Sequence, residues 1–336
     1  MSTNTVSTSG PDVLVADDLR KTYARRQALL GLTFSLKAGR VMGFLGPNGA
    51  GKTTAIRILT TILRPDSGYF FVEGIGSEYP DKIRSRIGVL PESLGFPRQI
   101  TALDFLVYFG MLYGRGPADA RAAASRLLEE VGLKQRAKSL LGTYSRGMRQ
   151  RLGIARALIN DPAVVFLDEP TLGLDPRGQQ ELLELVKRIA RERNAGVVLC
   201  SHMLSEIESI CDDVVILDLG QVVARGSVAE VIGRAERNIV LRNSIRLRFP
   251  SQFVDKARQI LKGMPVVKQV APFGEMEDWL QVELDPAGSG ETSRAYQVNN
   301  TILGDLVRAR IPILNFEVGG GRLQDVFLHL TEQVIE

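Results

Sequence analysis

The reading turns on Val41-Met42-Gly43-Phe44-Leu45-Gly46-Pro47-Asn48-Gly49-Ala50-Gly51-Lys52-Thr53-Thr54. Residues 41–45 are mostly apolar and stop at a glycine, the pattern of a parallel strand buried on both faces. Residues 51–62 have the composition of a helix. Between them, Gly46 to Thr53 matches G-x-x-x-x-G-K-[ST] without a mismatch. Gly46, Gly49 and Gly51 free the backbone around Pro47, Asn48 and Ala50 to turn N–H groups inward around phosphate oxygens, Pro47 itself having none to give. The positive end of the helix dipole points at the same place. Lys52 is placed to neutralise β- and γ-phosphates, and Thr53 to offer its hydroxyl to Mg²⁺. A glycine-rich turn with an exposed lysine would satisfy the spacing alone; the strand before it and the helix after it argue against that.

A second segment complements the first. Ala163-Val164-Val165-Phe166-Leu167-Asp168-Glu169-Pro170 is an apolar strand that ends in two carboxylates. Buried charge is expensive without a partner. A magnesium ion and an attacking water supply one, with Asp168 supporting the metal and Glu169 acting as general base. His202 follows the apolar run 197–200 and sits where a strand tip can reach a γ-phosphate. His329, near the chain end, reads as an ordinary surface histidine. Tyr144-Ser145-Arg146-Gly147-Met148 opens a helix over 146–160, with Ser145 as its N-cap. That helix start is a further anion site, surrounded by Arg146, Arg149 and Arg151.

Composition sets the outer limits. The 336 residues are 44% apolar and 24% charged, with 6% aromatics, as in an ordinary soluble chain of about two domains. Cys200 and Cys211 lack zinc or CxxC spacing and read as buried thiols in a reducing compartment. No run approaches the roughly 18 apolar residues of a spanning helix. The start has neither the basic nor the apolar region of a signal peptide. The formal charge is +4. Residues 237–336 hold 12 basic and 12 acidic side chains, so the whole excess lies in residues 1–236. That is too little for a nucleic-acid footprint.

Along the chain, residues 1–12 read as a disordered tail. Short strands are expected at 13–16, 34–36, 41–45, 87–90, 164–167 and 197–200, and an edge hairpin at 214–218 and 222–225 around Gly220. Helices are expected at 101–113, 118–131, 146–160 and 177–193. After residue 235 the pattern changes to strand 244–249, helix 252–262, strands 265–270 and 278–284, helix 291–310, strand 311–317 and helix 322–333. A loop is expected at Asp285–Gly290. That β-α-β-β-α-β order fits a ferredoxin-like split βαβ with one added helix.

These residues resemble the ATP-binding subunits of ABC transporters over about residues 13–232. Six elements stand in the family's order: Walker A at 46–53, a Q-loop-like Leu90-Pro91-Glu92, a signature at 144–148, Walker B at 164–169, a D-loop at Gly173-Leu174-Asp175, and a switch histidine, His202. Tyr23 matches the aromatic that stacks on adenine.

The resemblance implies an α/β P-loop NTPase fold with a helical signature subdomain, over residues 13–235; the change of pattern after it leaves a small α+β accessory domain over 236–336. It implies ATP and Mg²⁺ as cofactors, with Thr53, Glu92 and Asp168 at the metal and Lys52, Glu169 and His202 in catalysis. Nucleotide contacts would extend from Tyr23 and residues 46–53 to Thr54. Two such subunits would face each other head to tail, so that Ser145 and Gly147 of one copy meet the nucleotide of the other and Asp175 links the two sites. A separate membrane permease would ride on the pair, touching a groove near residues 92–110 and holding it at the cytoplasmic face. No nucleic-acid partner is expected.

Two departures stand out. Glu92 replaces a glutamine; it still ligates Mg²⁺ but adds charge and cannot donate when ionised. Arg146 and Met148 replace glycine and glutamine in the signature. Both resemble the exporter-type subclass that works with ABC-2-type permeases, as does the segment Leu323-Gln324-Asp325-Val326-Phe327-Leu328-His329-Leu330-Thr331. The competing class is a soluble ABC ATPase of ribosome or nucleic acid. It would call for a second ATPase domain or a long coiled-coil insertion, and neither pattern is present.

Overall fold

The structure is a computed structural model that describes residues 10–318 apart from 25, 94, 237–243, 274–275 and 286–291, together with Leu323, Val326 and Phe327. The chain divides into two compact units, Met1–Val228 and Ala229–Glu336.

The first unit begins with two long strands, β1 (Asp12–Tyr23) and β2 (Arg26–Lys37), then β3 (Val41–Leu45) and α1 (Lys52–Leu59). It continues with β4 (Ser67–Val72), β5 (Ile75–Gly76), α2 (Pro80–Arg84) and β6 (Ile87–Leu90). Three helices follow: α3 (Ala102–Leu112), α4 (Pro117–Glu130) and α5 (Arg146–Ala157). The unit closes with β7 (Val164–Asp168), α6 (Pro176–Arg193), β8 (Gly196–Cys200), α7 (Leu204–Ile210), β9 (Asp213–Asp218) and β10 (Gln221–Ser227).

Two sheets form. One is antiparallel in the order β2-β1-β4-β5; the other runs β10-β9-β3-β8-β7-β6 and is parallel except for the β9–β10 hairpin. Every residue of β3 and of β8 is buried, as expected of strands covered on both faces. Leu14, Leu32, Phe34 and Val72 of the antiparallel sheet share a core with Phe44, Phe166 and Val198 of the other and with Ile58 and Leu59 of α1. Phe34 and Phe44 meet edge to face at 5.2 Å.

Several expectations shift. Asp12 already pairs with Lys37, so the strand begins inside the expected tail; residues 1–9 lie outside the described residues. The strands expected at 13–16 and 34–36 are the visible parts of two 12-residue strands. Their alternation is broken by register shifts, one of them between Ala16 and Leu19, where Asp18 takes a positive φ of 48°. The helix expected at 51–62 stops at Leu59. Strands β4 and β5 and the short helices α2 and α7 were not expected.

The second unit contains most of α8 (Val228–Glu236), then β11 (Ser244–Arg248), α9 (Val254–Lys262), β12 (Val267–Phe273), β13 (Met276–Leu284), α10 (Thr292–Arg308) and β14 (Asn315–Val318). Its sheet order is β12-β13-β11-β14, all antiparallel. That is the strand arrangement of a ferredoxin-like split βαβ. Ile245, Leu247, Leu280 and Val282 pack with Val254, Ala257 and Leu261 of α9 and Ile302 and Leu306 of α10. The compact units divide after Val228, ahead of the boundary expected at 235/236. Residues 286–290 of the expected loop, His329 and most of the expected helix 322–333 lie outside the described residues.

Gly88 in β6 marks the tightest fit between the parallel sheet and α5. A Cβ there would come within 2.1 Å of the Ala157 carbonyl oxygen. Gly88→Ala is expected to lower the unfolding free energy by about 2 kcal/mol, read by urea denaturation of the purified chain.

Candidate nucleotide site

The junction between β3 and α1 is built by close backbone approaches. A Cβ on Gly46 would lie 2.3 Å from the Leu217 carbonyl oxygen, and one on Gly51 2.5 Å from that of Ala28. Gly51 also holds φ at 109°, which favours glycine. The loop between them is tied down from behind: Gly220 N–H donates to Ala50 O at 3.0 Å, and Leu30 N–H donates to Gly220 O at 2.8 Å. Lys52 Nζ donates to the carbonyl oxygens of Gly46 and Pro47. No side chain caps α1, and no acid stands in its first turn. Its first N–H groups therefore face an open cleft of about 570 Å³.

The cleft brings together most of the expected residues. Tyr23, Asn48, Gly49, Gly51, Lys52, Thr53, Thr54, Glu92, Asp168, Glu169 and His202 all line it. Gly46, Pro47 and Ala50 do not; they take part through the backbone contacts just described. Tyr23 is substantially exposed. Thr53, Glu92 and Asp168 contribute hard oxygen donors of the kind magnesium prefers.

The parallel pairing of β7 with β8 sets the acidic end. Asp168 is in register with Cys200, so the residues just beyond, Glu169 and His202, emerge side by side. Glu169 N–H donates to Cys200 O at 3.0 Å, and His202 Nδ1 lies 2.7 Å from Glu169 Oε2. Glu169 sits at φ 48°, a backbone conformation that costs about 1 kcal/mol or more in a non-glycine residue. Burial, followed by the negative charges of Glu92 and Glu169, holds the Asp168 carboxyl above its usual value, against the opposing charges of Lys52 and Arg57. A cation in this place would relieve both causes. Cys200 and Cys211 are free and buried, and burial pushes both thiols up.

Three expected site residues lie elsewhere. Ser145, Gly147 and Asp175 are not among the residues lining the cleft. Ser145 is exposed and caps α5, accepting from Met148 N–H at 3.3 Å. Tyr144 is buried beside it, and its hydroxyl donates to Arg136 O at 2.7 Å. Arg146 lies across Gly173, where an added Cβ would be 2.5 Å from its Cζ. Asp175 is the N-cap position of α6.

Comparison with known proteins bears on the family. Residues 29–172 match the ABC transporter family model. The linearmycin resistance ATP-binding protein of Bacillus subtilis is 31% identical over 325 residues, covering 96% of this chain and 99% of that protein. The daunorubicin/doxorubicin resistance ATP-binding protein of Streptomyces peucetius is 34% identical, covering 98% and 93%. This chain belongs to the ABC transporter family.

It is an ATPase subunit of the kind that powers a transporter, not a soluble ATPase of ribosome or nucleic acid. The solved ATP-binding subunit of an ABC transporter superposes with a TM-score of 0.59 at 30% identity, over 66% of this chain and 92% of that one. A dimeric post-hydrolysis cassette with bound ADP and phosphate superposes at 0.58 and 25% identity, over 64% and 98%. Both alignments cover about two thirds of the ABC ATPase chain.

Sequence motifs do not reveal Arg26. It lines the same cleft, between Tyr23 and the phosphate loop, and its Nη2 donates to Gly49 O at 3.1 Å. Its only sequence signal is a cation three residues after the aromatic. Arg26→Ala is expected to raise KM for ATP by about fivefold with little change in kcat, and more so at low salt; steady-state ATPase assays at two ionic strengths check this.

Proposed function

We propose that this ABC ATPase drives an exporter through a separate ABC-2-type membrane permease, working as a homodimer at the cytoplasmic face of the membrane. The observation that carries the reading is the split of the site. Phosphate loop, acids and histidine share one cleft, while Ser145, Gly147 and Asp175 of the same chain stand outside it. A second copy, packed head to tail, supplies the missing half of each site. The dimeric solved cassette supports this arrangement.

Within the cleft, Tyr23 stacks on adenine and the loop N–H groups of residues 46–53 receive the phosphates, with Thr54 beside them. Lys52 leaves its loop carbonyls for the β- and γ-phosphates. Thr53, Glu92 and Asp168 hold Mg²⁺, which neutralises phosphate charge when bound. Glu169 takes the proton of the attacking water. His202, bound to Glu169 through Nδ1, orients that carboxylate and leaves Nε2 to face the γ-phosphate. Binding closes the dimer and hydrolysis reopens it, and the permease follows that motion.

Among the described residues no helix is long and apolar enough to cross a membrane, which supports a pore made by another chain. The exposed Tyr108, Met111 and Leu112 of the apolar α3 are a docking surface for that chain; Tyr108 falls within the segment expected at 92–110, and the other two lie just beyond it. Relatives are named for linearmycin resistance, daunorubicin and doxorubicin resistance, and bacitracin transport. An antibiotic is accordingly the class of cargo we infer. The charge-balanced second unit stabilises the dimer or regulates hydrolysis.

Glu169→Gln is expected to keep ATP binding, lower turnover by about a thousandfold and trap a closed dimer, seen by light scattering with MgATP. Near-wild-type turnover would remove Glu169 from its role. Deleting residues 236–336 is expected to weaken dimerisation or alter the ATPase rate; both values unchanged would refute a role for the second unit in either.

A further inference from the structure

His202 stands on a three-residue connection, Ser201-His202-Met203, between β8 and α7. Its imidazole is more than half exposed and is held by one contact, to Glu169. The residues on either side are anchored from within. Ser201 is fully buried, and its hydroxyl is used in both directions: it donates to Glu206 Oε2 at 2.6 Å and accepts from Met203 N–H at 3.0 Å. The Glu206 carboxylate thus orients a hydroxyl that spans the histidine.

Glu206 is a costly residue for that place. Its side chain is 4% exposed, and its second oxygen, Oε1, is buried without a hydrogen-bond partner. A carboxylate buried with a single donor destabilises a fold, and an apolar side chain of similar volume is commonly neutral or better. Packing of α7 therefore does not account for the acid. An apolar group would lose one thing: the acceptor that directs the Ser201 hydroxyl hydrogen inward and leaves its lone pair for Met203 N–H.

We propose that Glu206 is a positioning residue for hydrolysis, acting through Ser201 to fix the backbone on both sides of His202 and keep the imidazole on Glu169. The proposal rests on the reading of Glu169 and His202 as the hydrolytic pair. The opposing view is that the Ser201–Glu206 bond only caps a short helix. The two views differ in whether the effect passes through His202.

The test uses the full-length chain under single-turnover conditions with MgATP, enzyme in excess. Glu206→Met keeps the volume and removes the acceptor; it is expected to slow hydrolysis about tenfold while ATP affinity changes by less than about twofold. Glu206→Gln, whose amide oxygen still accepts from Ser201, is expected to recover most of the rate. Combined with His202→Ala, Glu206→Met is expected to add less than about twofold to the loss. Ser201→Ala cuts the same link from the other end and is expected to give the same loss and the same non-additivity, so the test stands even where Glu206→Met fails to fold.

A wild-type rate in the folded Glu206→Met and Ser201→Ala variants overturns the proposal. So does an undiminished loss in the His202→Ala background, which marks a cap alone. A wild-type rate for His202→Ala itself overturns the hydrolytic reading of the pair along with the proposal; a slow His202→Ala with additive Glu206 effects overturns only the proposal.

Discussion

Helix α1 starts at Lys52 with its leading N–H groups claimed by no side chain, and the fold is arranged to keep them so. An uncapped helix start at the floor of a cleft is unfavourable unless a ligand completes it. Holding the preceding loop rigid therefore falls to backbone from elsewhere. The carbonyl of Ala28 on β2 presses against Gly51, that of Leu217 on β9 against Gly46, and the turn at Gly220 bonds both β2 and Ala50. The antiparallel sheet and the edge hairpin, which contribute few side chains to the chemistry, serve as the backing of the phosphate loop.

The same economy governs the acidic side. Parallel pairing of β7 and β8 brings Glu169 and His202 to one edge although 33 positions separate them. The strained backbone of Glu169 persists because its N–H is fixed to Cys200 O and its carboxylate to the imidazole. Glu92 adds a third acid near Asp168, so this end of the cleft gathers negative charge close to a ring of phosphate-binding donors. Two opposed charge fields within one cleft favour a ligand that is itself split into anion and cation.

Much of this was legible in the chain because it rests on short-range pattern. Val41–Leu45 and Gly196–Cys200 are buried throughout, as are the apolar residues of β7 ahead of the half-buried Asp168, and the phosphate loop announces its glycines. The alternation in residues 244–318 was strong enough to give the strand and helix order of the second unit. What stayed hidden depends on long-range or weak signals. Strands β1 and β2 look short because bulges and solvent-facing polar residues interrupt their period. Helices α2 and α7 are too brief for a 3.6-residue rhythm to show. Arg26 belongs to no motif, and its place in the cleft follows from the pairing of β1 with β2. That Ser145 and Asp175 lie outside the cleft is a fact of three dimensions that spacing alone does not carry.

Lys52 has a consequence for the loop rather than for the chemistry. Its ammonium group rests on the carbonyl oxygens of Gly46 and Pro47, within its own loop. The positive charge is thus compensated by carbonyl dipoles of its own loop, while Arg26 reaches in from β2 to hold another carbonyl, that of Gly49. Two cations thus share the upkeep of one loop, one from inside it and one from the neighbouring sheet.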